Sequence, residues 1–292
     1  MPEARHDVSV RDQIVPIGES GSFFDAVRTI GADSIECAVD VDGAISSLGA
    51  SLRDDASIAR LCEKMRSESL RISAFLLATD FSAHDAERHV EWSVGVARAA
   101  VAVGVPVVRI DPWTARQDSP AEAVRDNFIR RAAELLERTS DTGVDIGMEN
   151  HGHVFNDPQI LDWVLSALPD ERFGLTLDTG NLYWWGHPTE EVYRLIDRYA
   201  PRAKHVHVKN VAYPSDIANV QREIGFEYKR FCCPLAEGSL DLGRMVRSLC
   251  QGGYRRDLCV EDESLFKVIE DQRLEVLRQD VQALRNAIGL AQ

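Results

Sequence analysis

Four residues in the C-terminal half of the chain have side chains that bind hard divalent cations, and their spacing repeats. They are Glu149, Asp178, His207 and Glu261. An interval of 29 residues separates Glu149 from Asp178, and the same interval separates Asp178 from His207. His207 and Glu261 are 54 residues apart. Each residue closes a short apolar run: IGMENHGH, LTLDTGN, HVHVKN and CVEDES. Three carboxylates and an imidazole form a mostly oxygen donor set. That favours Mn²⁺ or Mg²⁺, with Co²⁺ or Zn²⁺ as alternatives. One such cation could hold the carbonyl and neighbouring hydroxyl oxygens of a substrate and stabilise the charge left when a proton leaves the adjacent carbon.

These residues need strands to bring them together. Residues two apart on a strand share a face. His205, His207 and Lys209 therefore share one, as do Glu149 with His151 and Glu261 with Glu263. Met148, Val206, Val208 and Val260 then face the other way. Apolar runs that read as strands are Gln13–Ile17, Ser34–Val39, Arg71–Leu77, Val105–Ile110, Val144–Glu149, Phe173–Asp178, Lys204–Lys209 and Leu258–Glu263. Amphipathic stretches alternate with them: Ser22–Ile30, Ser57–Glu68, Ala83–Val103, Ala121–Thr139, Pro158–Leu168, Thr189–Tyr199, Leu240–Cys250 and a final helix over Leu265–Leu290. Gly31, Gly104, Gly143 and Gly253 follow helical patterns, where a left-handed residue is wanted. Ser239 is placed to cap the helix after strand seven. Eight strand–helix pairs predict an α/β fold, a single (β/α)8 TIM barrel over residues 1–292. In that fold the C-terminal strand ends carry the active site.

Composition narrows the partners. The formal net charge of −14 disfavours nucleic acid. No stretch reaches the roughly 20 apolar residues of a membrane span, and residues 1–12 lack the apolar core of an export signal. The six cysteines, Cys37, Cys62, Cys232, Cys233, Cys250 and Cys259, have no CxxC spacing and read as reduced thiols of a cytoplasmic protein. An adjacent pair such as Cys232–Cys233 forms only a strained disulfide. His84, His89 and His187 read as exposed.

MENHG, LDTGN, HVHVKN, PLAEGSLD and CVEDE together resemble the xylose isomerase-like sugar phosphate isomerase/epimerase superfamily. It includes ketose 3-epimerases, hydroxypyruvate isomerases, inosose dehydratases and the endonuclease IV branch. The resemblance runs from strand two to the end of the chain. It implies a TIM barrel and a metal held by Glu149, Asp178, His207 and Glu261. Two positions depart from the pattern. Asn181 stands where ketose 3-epimerases and the endonuclease branch carry His, and Asn210 where the family has Asp after the lysine. The chain's eight histidines leave no surplus for a multi-zinc cluster.

The expected substrate is a small polyhydroxylated carbonyl compound, and the expected reaction an isomerisation or epimerisation through an enediolate. Glu149 and Glu261 are the acid/base candidates, and Lys209 and His151 the stabilisers of the developing oxyanion. Arg109, Trp113, Glu36 and His151 are candidate substrate contacts. Trp184, Trp185 and Phe75 could wall the pocket. Two other classes remain open: a dehydratase that expels a β-hydroxyl from the same enolate, and a non-catalytic sugar-binding barrel. Each residue also has a plainer reading. The acids could form ion pairs across the barrel mouth, Arg109 could be a buried partner of one, and Lys209 could pair with Glu261 or Glu237. His205 competes with His207 as ligand, and Glu263 with Glu261. The long segment Val211–Glu237 carries Tyr213, Phe226, Tyr228, Phe231, Arg222, Lys229 and Arg230, with a short helix expected over Ile217–Ile224. It reads as a lid, or as the contact of a homo-oligomer.

Overall fold

The computed structural model describes residues 6–114 and 119–291; the first five residues of the charged N-terminus lie outside them. Eight strands follow one another: β1 Val8–Arg11, β2 Ser34–Ala38, β3 Arg71–Leu77, β4 Val107–Ile110, β5 Asp145–Glu149, β6 Phe173–Asp178, β7 Ala203–Val208 and β8 Leu258–Val260. They hydrogen-bond in chain order, and β8 returns to β1 to close the barrel. The helices are α1 Phe23–Ile30, α2 Asp55–Ser67, α3 Ala86–Val103, α4 Ala121–Arg138, α5 Pro158–Ala167, α6 Thr179–Trp184, α7 Thr189–Tyr199, α8 Ser215–Ala218, α9 Tyr228–Phe231, α10 Leu242–Gln251 and α11 Glu270–Ala291. Among the described residues no helix is long and apolar enough to cross a membrane.

Residues 36–176 form one compact unit, and 1–35 with 177–292 the other. In the first, β3, β4 and β5 pair in parallel, with Phe75 opposite Val108 and Arg109 opposite Gly147. β4 and β5 are buried along their whole length, as strands covered on both faces must be. Phe75 is wholly buried and is packing, not a pocket wall. The helices have local reasons to start: Asp54 and Asp157 accept the Ser57 and Gln159 backbone N–H groups at the starts of α2 and α5. A two-residue hairpin, Ala44–Ile45 with Ala50–Ser51, escaped the sequence reading.

In the second unit, β1 and β7 flank β8 in parallel, with Val10 opposite Val260 and Cys259 opposite His207. Strand one is displaced from its expected place at Gln13–Ile17, where a 3₁₀ turn over Asp12–Ile14 begins. The expected run contains Pro16, which has no N–H for a ladder. Val8 and Val10 are fully buried, and the Val8 N–H reaches Asp33 Oδ2 at 2.9 Å. The cap of α10 is Asp241, which accepts from the Arg244 N–H. Ser239 instead donates its hydroxyl to the Tyr213 carbonyl. The last helix starts at Glu270, after a separate 3₁₀ turn over Leu265–Lys267. His187, expected on the surface, is buried and stacked on Trp185 at 4.7 Å. All six cysteines are free thiols.

The segment 211–237 is more ordered than its composition suggests. Asn210–Val211 pairs antiparallel with Cys232–Cys233. Its first helix, α8, starts two residues before the expected Ile217–Ile224 and overlaps it only at Ile217 and Ala218; Pro214 stands just before its first turn, where its missing N–H costs nothing. Arg222 does not face solvent or substrate. Its guanidinium donates to the carbonyls of Ile217, Ala218, Val220, Tyr183 and His187, and lies over the Tyr183 and Tyr213 rings.

Candidate metal centre

β6 ends on Asp178, which divides its two oxygens between two tasks. Oδ1 accepts the Asn181 N–H at 2.8 Å and caps α6. Oδ2 faces His207 Nδ1 at 3.8 Å and the Lys209 ammonium at 2.9 Å. His207 lies on β7, and its Nδ1 is 3.1 Å from Glu261 Oε2. Glu261 follows β8 and binds Arg11 through Oε1; Lys209 Nζ stands 3.3 Å from Oε2. Burial alone would raise the Glu261 pKa. Lys209, Arg11 and His207 more than offset it and hold the carboxyl well below its ordinary range. Burial likewise disfavours the Lys209 charge, but Asp178, Glu261 and Glu263 raise its pKa well above normal.

Within residues 36–176 a second polar group gathers. Arg109 on β4 binds the Oε2 of Glu149, the last residue of β5, and donates to the Leu77 carbonyl at 3.1 Å. Its other nitrogen is 3.1 Å from Asp111 Oδ2. Asp111 in turn meets His151 Nδ1 at 2.9 Å and the Trp113 N–H at 2.9 Å. Burial opposes ionisation of Asp111, yet Arg109 and His151 lower its pKa overall. Burial would lower the His151 pKa, and the Asp111 hydrogen bond and charge raise it instead. His151 and Trp113 line a cavity of about 380 Å³ with Pro112, Thr114, Val124 and Phe155. Trp113 is 44% exposed, and its ring edge would lie 3.3 Å from a Cβ on Gly152, a residue at φ +70°.

Asp178, His207 and Glu261 are buried, and one ligand atom from each lies within 4.8 Å of the others; Glu149 is likewise buried at the end of β5. These are the four residues expected to hold a metal. The donor chemistry suits a single divalent ion: three carboxylates need positive charge between them when water is excluded. Glu36 is fully buried on β2 and is not one of the four. Glu263 is 41% exposed at its side chain and stands outside the four-residue group; it binds Lys209 at 2.9 Å and accepts from the Tyr228 hydroxyl at 2.6 Å. Arg109 is the buried partner of an acid, and Lys209 the partner of three. Trp184 and Trp185 are half-buried on and beside α6.

Three participants were missed from sequence: Arg11, Asp111 and the specific contact of Tyr228. Arg11 was recoverable, since VSVR alternates like a strand and ends on it. Asp111 carried a weaker signal, a polar residue just past the VVRI run.

A family model for the xylose isomerase-like TIM barrel matches residues 24–287. An inosose dehydratase from Clostridium botulinum is 27% identical over 135 residues, 44% of this chain and 44% of that protein. The chain therefore spans less than half the length of that relative. Among solved structures, the IolI protein with a bound zinc atom superposes with a TM-score of 0.72 at 16% identity, covering 96% of this chain and 98% of the other. A D-tagatose 3-epimerase-like protein gives 0.66 at 16% identity, covering 96% and 98%. At such identities the structures speak for the fold alone, while the family model spans β2 to β8 and the four candidate metal positions: the chain belongs to the xylose isomerase-like TIM barrel family.

Proposed function

We propose that the protein is a divalent-metal-dependent isomerase or epimerase that removes a proton next to the carbonyl of a ketose-like substrate. The observation that carries this reading is the convergence of Asp178, His207 and Glu261 within 4.8 Å, with Glu149 buried at the end of β5 as the fourth ligand the reading calls for. Those residues would hold the ion, which when bound supplies Lewis-acid stabilisation of an enediolate. The chain's own groups account for the rest. Glu149 or Glu261 takes the proton from carbon and returns it, to the opposite face in an epimerase or to the neighbouring carbon in an isomerase. Lys209 adds positive charge beside the oxyanion. Trp113 offers an exposed ring to the apolar face of a sugar in the 380 Å³ cavity, which His151 shares.

A second reading, dehydration of a keto-inositol or keto-acid, is favoured by the Asp111–His151 pair. After the same proton abstraction the bond to a β-hydroxyl breaks, and the departing oxygen takes a proton from His151 to leave as water. Asp111, 2.9 Å from His151 Nδ1, orients the ring and keeps it protonated to higher pH. The name of the inosose dehydratase relative supports this outcome. Solvent-deuterium exchange distinguishes the readings. The protein is incubated with Mn²⁺, Mg²⁺ or Co²⁺ and a panel of ketoses, keto-inositols and keto-acids in D₂O, and the products are read by NMR. Exchange at carbon next to the carbonyl is expected. Rearranged sugar identifies the isomerase and unsaturated product the dehydratase. Binding of sugar with no exchange under any metal would refute both and leave a sugar-binding barrel.

A further inference from the structure

We infer that Lys209 is the resident counter-ion of the metal centre, and that an entering divalent cation displaces its ammonium onto Glu263, which Tyr228 of the long loop holds in place. The inference rests on the metal-site reading above. Lys209 Nζ touches three carboxylates at once: Asp178 at 2.9 Å, Glu261 at 3.3 Å and Glu263 at 2.9 Å. The first two belong to the four-residue metal group, and the third does not. A divalent ion held by Asp178 and Glu261 would compete for the carboxylates that the ammonium uses, and its charge would repel the ammonium at short range in a buried setting. The Lys209 side chain is 3% exposed, so its ammonium has no path into water. Glu263 is its remaining anionic partner among the three.

Two features make this transfer specific. The stem of Lys209 runs against Gly180, where a Cβ would stand 2.2 Å from Lys209 Cγ. The head therefore moves while the stem keeps its path. Glu263 is also held at both oxygens, Oε1 by Lys209 and Oε2 by the Tyr228 hydroxyl at 2.6 Å. Burial and the Glu263 charge hold the Tyr228 pKa well above normal, so the phenol remains a donor. Tyr228 is set by its loop: Glu227 before it adopts φ 43°, and Tyr213 ties the Phe226 carbonyl at 2.6 Å. Tyr228 is thus a positioning residue that acts on the centre through Glu263 and Lys209, and metal loading reaches the loop by the same contacts.

Calorimetric titration of the full-length, metal-depleted chain with Mn²⁺ tests this without any substrate. Lys209→Met, which removes the competing charge, should bind Mn²⁺ at least tenfold more tightly than wild type. Glu263→Gln should bind about tenfold more weakly, and Tyr228→Phe about twofold to fivefold more weakly. The double variant decides the mechanism: Glu263→Gln should have no effect in the Lys209→Met background, whereas a general loss of negative charge would weaken binding equally in both. Amide exchange over residues 226–231 should change on adding Mn²⁺ to wild type and change less in Tyr228→Phe. If Lys209→Met leaves the acids too poorly balanced to fold, equal Mn²⁺ affinity of Glu263→Gln and wild type still overturns the inference. That result would leave the metal-dependent function standing, while a wild-type chain that binds no divalent ion would overturn the function first.

Discussion

Asp280 should make the protein less stable as pH rises from 4 to 8, against the usual trend for carboxylates. It lies in α11, fully buried, with Oδ1 accepting the Leu235 N–H at 2.7 Å. Its Oδ2 is buried without a hydrogen-bond partner among the described residues, and the charge of Asp262, the residue after Glu261, acts on the carboxyl. Burial first, and then the Asp262 charge, push its pKa from 3.8 to about 8. The folded state thus keeps a proton that the unfolded chain releases above pH 3.8. Where the folded state binds more protons, stability falls with increasing pH, and the fall ends near the folded pKa. The shift corresponds to about 4 kcal/mol lost by pH 7 as an upper bound, at ~1.4 kcal/mol for each pH step. Asp280→Asn copies the protonated form: its oxygen can still accept from Leu235. It releases no proton on unfolding. Urea unfolding midpoints of both proteins at pH 5, 6, 7 and 8 should diverge, with the variant more stable by roughly 2–4 kcal/mol at pH 8. Its melting temperature there should rise by roughly 5–10 °C. Parallel pH profiles, or a variant less stable than wild type at pH 8, would refute the retained-proton argument.

Two further outcomes follow from the site and its loop. Glu149→Gln should lose near-stoichiometric divalent metal on elemental analysis of undialysed protein, and equal metal in variant and wild type would remove Glu149 from the ligand set. Shortening the loop within residues 223–227, which spares the buried Arg222, should lower turnover at least tenfold while metal content and association state stay unchanged. A shortened protein that becomes monomeric with full turnover per chain would make the segment an interface rather than a lid.

The barrel was legible because its strands are buried on both faces. Arg71–Leu77 and Phe173–Asp178 have the boundaries their apolar runs predict, since nothing but backbone pairing and packing decides where they stop. The misplacement at strand one has a different origin. VSVR and QIVPI are both short and apolar, and what separates them is the proline and the distant Asp33 that meets the Val8 N–H. α6 was missed because its start depends on Asp178, which reads as a metal ligand and is also the helix cap. One side chain with two oxygens performs both tasks, and a reading that assigns each residue one role loses the second.

The candidate metal group was legible because a parallel barrel turns repeat spacing into adjacency: strand ends one βα unit apart must be neighbours. Their counter-ions have no such rule. Arg11 lies 250 positions from Glu261, and Tyr228 reaches Glu263 from a loop whose path no periodicity fixes. Charge balance is the part that sequence leaves open, and it governs the chemistry here. Asp178, Glu261 and Glu149 each already face a cation, namely Lys209, Arg11 with Lys209, and Arg109. The plainer reading of ion pairs at the barrel mouth is therefore present in the structure together with the ligand geometry. The two are compatible only if at least one cation can leave. Arg109 is tied to Asp111 and the Leu77 carbonyl as well as to Glu149. Arg11 meets Glu261 at Oε1, the oxygen turned away from His207. Lys209 alone of these three shares both ligand carboxylates that face His207 and also has a third acid to move to. On the proposed reading, displacement of Lys209 would be the step by which a preformed set of ion pairs becomes a metal site, and Glu263, outside the four-residue group, would belong to the centre as the acid that receives the ammonium.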